Sequence, residues 1–240
     1  MKTNTLITAL VMMMLMLSCG QDVIRPSGVI EEIIIDPISI NQLSISNTFV
    51  VTMQPSTGES EVVIQIDEEL VPYLVAQEIN GHLRIGLADD VRVKGRTTMQ
   101  ATIYSNEMLE NIDLSGASEL SITETIMADR LDIALSGASH LQASVQVNSL
   151  VMDVSGASDA SISGNTGIGF ITVSGASEID GYQLDVETLV ADLSGASRCQ
   201  ITITESLSLQ ASGASTLRYK GQPDIIREDL SDGSSIQKQN

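Results

Sequence analysis

The tetrapeptide Ser-Gly-Ala-Ser occurs six times, starting at Ser115, Ser136, Ser155, Ser174, Ser194 and Ser212. A serine hydroxyl can attack an electrophile or bond a sugar. Attack requires a neighbouring base. The chain has two histidines, His82 and His140, far apart in sequence, and no His base recurs with the serines. The hydroxyls therefore read as structural: in register, each can bond the corner backbone or the serine one repeat away. Carboxylates are abundant, 31 in all. Paired carboxylates about 5–10 Å apart hydrolyse glycosides. Hard cations want six to eight oxygens, and no compact Asp-rich loop is present. The two cysteines, Cys19 and Cys199, cannot build a metal site. No metal and no cofactor is expected.

The spacing of the tetrapeptides is 21, 19, 19, 20 and 18 residues. A period near 20 is the length of one supersecondary unit, which makes the chain a solenoid. Apolar residues alternate on both sides of each tetrapeptide, as in Ile112 and Leu114 before Ser115 and Leu120 and Ile122 after Ser118. Alternation with period two is a strand with one buried face. Each unit reads as strand, corner, strand and variable turn. Equivalent strands of successive units must pair in parallel, and the crossover rule favours an all-β, right-handed parallel β-helix. Six coils stacked about 4.8 Å apart make a rod roughly 25–30 Å long. The corner glycines, Gly116, Gly137, Gly156, Gly175, Gly195 and Gly213, take positive φ at the bend. Cys199 falls on an inward position and reads as a small buried hydrophobe. Glu119, His140, Asp159, Glu178, Arg198 and Thr216 form one outward ladder, with Asp113, Asp153 and Asp192 on the adjacent strand. The segment 163–169, with three glycines, reads as the loosest turn and a candidate binding loop.

Residues 1–19 read as a leader, with Lys2 ahead of a short apolar stretch. Leu17-Ser18-Cys19-Gly20 resembles a bacterial lipobox. The resemblance implies export, cleavage and lipidation of Cys19, hence a membrane anchor. Gly20 after the cysteine resembles outer-membrane sorting. Residues 20–32, with Pro26 and Gly28, read as a tether. A single β domain is expected over 33–230, with the clear coils at 109–219 and a mobile tail at 231–240. In its N-terminal part, 33–35, 38–45, 49–53 and 62–66 are strand candidates. Asn80-Gly81 marks a tight turn. Arg92, Lys94 and Arg96 make a small basic cluster, read as a solvated edge. Formal charge is −19. That excludes the basic footprint nucleic-acid binding needs. It also leaves lipid as the contact with an anionic bilayer.

Phe49 to Val51, Asn80-Gly81-His82-Leu83-Arg84-Ile85, the six coils and Lys220-Gly221-Gln222-Pro223 together resemble the bacterial family of auto-transporter adhesin, head GIN domains, over roughly residues 46–230. The resemblance implies a right-handed β-helix in a lipoprotein or secreted protein and carries no catalytic or binding residue onto this chain. A non-catalytic, adhesin-like envelope lipoprotein with a glycan or protein partner is the first expectation. A polysaccharide-active enzyme on a β-helix is an alternative that the absence of Trp disfavours, since sugar clefts use aromatic platforms. A structural component of envelope assembly is another.

Overall fold

The computed structural model describes residues 23–37, 39–88 and 91–240. In chain order the strands are β1 (Val23–Ile24), β2 (Ile30–Ile35), β3 (Gln42–Ile45), β4 (Val50–Gln54), β5 (Glu61–Asp67), β6 (Leu74–Ile79), β7 (His82–Leu87), β8 (Arg92–Val93), β9 (Met99–Tyr104) and β10 (Asn111–Leu114). There follow β11 (Glu119–Leu135), β12 (His140–Val154), β13 (Asp159–Val173), β14 (Glu178–Leu193), β15 (Arg198–Ala211), β16 (Thr216–Gly221), β17 (Asp224–Leu230) and β18 (Ser235–Lys238). A short 3-10 helix, Glu68–Tyr73, separates β5 from β6.

The coils stack in parallel. β11 to β15 pair consecutively, each with the next, and the whole makes a β-solenoid of about 7 turns. Like side chains stand over like. One inward column runs Val51, Leu120, Leu141, Ala160, Ile179, Cys199, Leu217 and Ile236. A single buried cluster extends from Ile40 to Tyr219. Each large aliphatic side chain buried this way contributes about 1.5–3 kcal/mol.

The corners make that stack possible. All six glycines have φ between 70 and 79°. From Ala138 onward each corner alanine donates its N–H to the glycine carbonyl one coil earlier, as Ala157 does to Gly137 at 2.7 Å. A Cβ on Gly156 would lie inside contact distance of that same Gly137 oxygen. The corner is therefore closed to side chains twice over, by φ and by the coil behind it. The corner alanines themselves are exposed, so smallness is demanded of the glycine rather than of its neighbour.

The stack is longer at both ends than the tetrapeptides. Ser46-Asn47-Thr48 forms a corner ahead of Gly116, with Asn47 at φ 70° and its carbonyl accepting from Ala117. Ser231-Asp232-Gly233-Ser234 forms another after Gly213, with Asp232 at φ 58° and the Gly233 N–H bonded to the Gly213 carbonyl at 2.8 Å. Asn and Asp are the side chains that tolerate this conformation best. The expected mobile tail, 231–240, is thus a further corner followed by β18, which pairs with β16. The expected tether, 20–32, is also corrected within the described residues. Val23–Ile24 pairs with Arg92–Val93, and β2 lies antiparallel to β5 from Ile30 onward. The leader and Cys19 lie outside the described residues.

The N-terminal end is closed by a change of strand direction. β9 continues the stack parallel to β4, then β5 and β2 add antiparallel. On the other wall β7 stacks on β3 and is covered by β6 through the Asn80-Gly81 turn. The C-terminal end has no such cover. There, the register places Glu228 over Leu209 and Lys238 over Tyr219, both inward columns. Inward charges at an open edge oppose pairing with another chain.

Gly156→Ala is expected to lower unfolding stability by about 2 kcal/mol or more, because an L-residue at this φ alone costs about 1–2 kcal/mol. Ala157→Ser, on the exposed corner position, should stay near wild type in the same denaturant titration. Glu228→Leu with Lys238→Leu should give end-on assemblies larger than the wild-type species, read by light scattering after size exclusion. A mass equal to wild type would contradict the charged-edge account.

Candidate functional site

The repeated serines are occupied by the fold. Ser118, Ser139, Ser158, Ser177, Ser197 and Ser215, the last of each tetrapeptide, are buried. Ser139 Oγ donates to the Ser136 carbonyl at 2.7 Å, Ser215 Oγ to Ser212 at 2.8 Å, and Ser118 Oγ to Ser115 at 3.0 Å. Ser155 Oγ, on a first position, donates to the Leu135 carbonyl of the previous coil at 3.2 Å. These bonds hold the bend, and the last hydroxyl of each tetrapeptide is buried away from solvent. Cys199 is fully buried, and burial pushes its thiol up to about 12.

One hydroxyl–imidazole pair does exist. Ser44 Oγ and His82 Nε2 lie 2.7 Å apart across β3 and β7. Sequence reading missed it, because 38 residues separate the two and only the stacking of β7 on β3 joins them. Among the described residues no carboxylate bonds the other ring nitrogen. The pair lines a hollow of about 320 Å³ with Asp113, Asp132 and Asp153, and the N–H groups of β3 and β7 are committed to ladders, so no oxyanion donors converge on it.

The outward ladder falls as the spacing predicts: Glu119, His140, Asp159, Glu178, Arg198 and Thr216 are consecutive partners. Glu178 accepts from Arg198 and from Gln200, each at 3.0 Å. On the adjacent wall the order is Asp113, Ala134, Asp153, Thr172, Asp192, Gln210 and Asp229. The aspartates therefore occupy every second coil, about 9.6 Å apart. That exceeds the screening length of about 8 Å at physiological salt. Among the described residues no group of three His, Cys, Asp or Glu is arranged to hold a metal. None of Arg92, Lys94 and Arg96 makes an ion pair with a carboxylate among the described residues.

The largest coil-length differences are absorbed at the bend after the first strand of each coil, with single-residue offsets at Glu187, which faces Thr204 and Glu205, and at Ile226. Against β12, β11 carries Ile122, Thr123 and Glu124 opposite Ala143 alone. Against β13, β14 carries Gly181 and Tyr182 opposite Ile162 alone. Two longer coils thus flank the two 19-residue coils. The result is a trough of about 440 Å³ whose floor is Gln142, Ser144, Ser161 and Ser163 and whose walls include Ile122 and Tyr182. Lys220 Nζ stands 4.7 Å from the centroid of the Tyr182 ring. The segment 163–169, expected as a loose loop, is instead strand. Its glycines allow close approach, since Gly164 packs against the Val145 carbonyl and Gly169 faces Val186 and Leu189. Bulges, not that segment, shape the surface.

On the other side of the Ile122 bulge lies an apolar groove of about 360 Å³. Met53, Pro55, Met108, Ile126 and Met127 line it. Met108 is 65% exposed and Met127 59%.

Comparison with curated proteins gives no match. Among solved structures, a protein described as a putative adhesin from Bacteroides fragilis superposes with a TM-score of 0.81 at 20% identity, covering 90% of this chain and 99% of that one. A second, described as a putative adhesin from Parabacteroides distasonis, gives 0.70 at 20% identity over 90% of this chain and 100% of its own. A third from Parabacteroides distasonis, described as a putative lipid binding protein, gives 0.74 at 18% identity over 91% and 100%. At these identities the likeness shows a shared fold. The family described as "Putative auto-transporter adhesin, head GIN domain" matches residues 40–223, from just before the Asn47 corner through all six glycine corners, and the chain belongs to that family.

Proposed function

We propose that the chain is a non-catalytic lipoprotein of the cell envelope that works as an adhesin-like binding module, held to the outer membrane through Cys19. The observation that carries the binding role is the coil surface itself. A rigid backbone repeats every coil while the outward side chain changes from Glu119 to His140 to Asp159 and beyond. Such a surface offers a partner a fixed lattice with variable chemistry, at little cost in ordering on binding. Membership of an adhesin-named family supports the same reading. The Leu17-Ser18-Cys19-Gly20 motif supports the anchor. Two or more acyl chains on one cysteine would hold it stably.

The methionine-lined groove favours a second reading, capture of an apolar chain such as an acyl group. Methionine is flexible and polarisable, and suits irregular apolar ligands. The lipid-binding description of one Parabacteroides relative points the same way.

The binding role is tested by crosslinking in intact cells with partner identification, alongside a glycan array probed with the full chain. A saturable partner is expected. A chain recovered alone that binds no glycan would remove the adhesin reading. The anchor is tested by counting thiols. Protein extracted from membranes should show no reactive thiol when native, because Cys199 is buried with a pKa of about 12. After denaturation it should show one, with the Cys19 sulfur held in a thioether. A second thiol, or a Cys19→Ala chain that still sediments with membranes, would contradict lipidation.

A further inference from the structure

We propose that the trough between the two longer coils is a binding site for a neutral oligosaccharide. The inference rests on the binding-module reading and adds its ligand class and place. The trough follows from coil length. The coil of β11 exceeds that of β12 by two residues, and the coil of β14 exceeds that of β13 by one. Both excesses fall at the same bend, so each stands proud of the 19-residue coils between them. The walls are three coil steps apart, about 14 Å. That length suits a short run of linked rings better than a single ring. Its volume of about 440 Å³ lies within the range of small-ligand sites.

The lining sets the chemistry. Gln142, Ser161, Ser163 and Gln183 each both donate and accept hydrogen bonds, and Asp180 accepts. Among the described residues none of these five side chains bonds another protein group. A surface with mixed donors and acceptors at strand spacing matches an array of sugar hydroxyls. Tyr182 supplies an aromatic wall, against which the apolar face of a pyranose can lie. The bulge is what aims this ring, as bulges commonly re-aim a side chain beside a site. Lys220 comes from β16, on the side of β14 away from the trough, and braces the ring by a cation–π contact at 4.7 Å.

The lining also selects against charge. No Lys or Arg borders the trough, Asp180 does, and the whole chain carries −19. Uronate or sialylated chains would be repelled rather than steered in. A nucleic acid strand would be repelled for the same reason.

The test offers the full chain, in detergent, to an array of neutral and anionic oligosaccharides. Neutral chains should bind, and Tyr182→Ala and Gln142→Ala should each weaken binding roughly tenfold. Both positions are on the surface, and thermal melts should match wild type. Thr172→Ala, on the other wall, should bind as wild type. Binding restricted to anionic glycans would overturn the proposal, as would neutral binding indifferent to both trough variants. A protein partner found in cells with no glycan bound would overturn the saccharide site and leave the binding module standing. Neither partner nor glycan would remove both.

Discussion

A single close contact governs this molecule: the peptide of one corner lying directly on the peptide of the next. The N–H of each corner alanine reaches the carbonyl of the glycine one coil earlier, at 2.7–2.8 Å from Ala138 through Ala214. Nothing larger than hydrogen fits on the glycine between them, because the approaching oxygen already fills that space. Once the corners are in contact, the strands on either side have no choice of register. Leucine then falls on leucine, serine on serine, and the interior closes without large rings. Phe49 is the largest fully buried side chain, and the rest of the core is Ile, Leu, Val, Met and Ala, with Cys199 and Tyr219.

A fixed corner pushes variation elsewhere. The main gains and losses between repeats appear as a bulge after the first strand, with single-residue offsets at Glu187 and Ile226. Pairing resumes in register beyond each bulge, so the corner stack is undisturbed. This division separates the part of the coil that specifies the fold from the part free to carry recognition. The trough beside Tyr182 and the methionine groove below Ile122 both arise at that bend, one on each side of the same bulge. The outward ladders divide similarly. The Glu178–Arg198 pair is exposed on both sides and contributes little stability. Its positions remain open to change.

Much of this was readable in the residues. The six identical corners, the alternation around them and the outward ladder required only the tetrapeptide and period two, and the ladder partners fall one for one. The ends were harder. Asn47 and Asp232 do the work of the corner glycines but share no tetrapeptide with them, so the coils they begin and end passed as a strand boundary and a loose tail. Residues 23–24 and 30–32 looked like linker because their partners, β8 and β5, lie far along the chain. Three glycines in 163–169 suggested looseness. In the solenoid they serve tight contact, Gly164 against a carbonyl and Gly169 against Val186. Ser44 and His82 meet only because an inserted hairpin folds back onto the first coil.

The stacked-corner account can be read directly as a ruler. Spin labels placed on the exposed corner positions, with Ala117→Cys fixed and Ala138→Cys, Ala157→Cys, Ala176→Cys, Ala196→Cys or Ala214→Cys as its partner, probe the stack in a Cys19→Ser background. Pulsed electron spin resonance should return backbone-referenced separations rising by about 4.8 Å per coil, whether the intervening repeat has 18 or 21 residues. Separations that track the number of intervening residues, or that fail to rise monotonically, would contradict it.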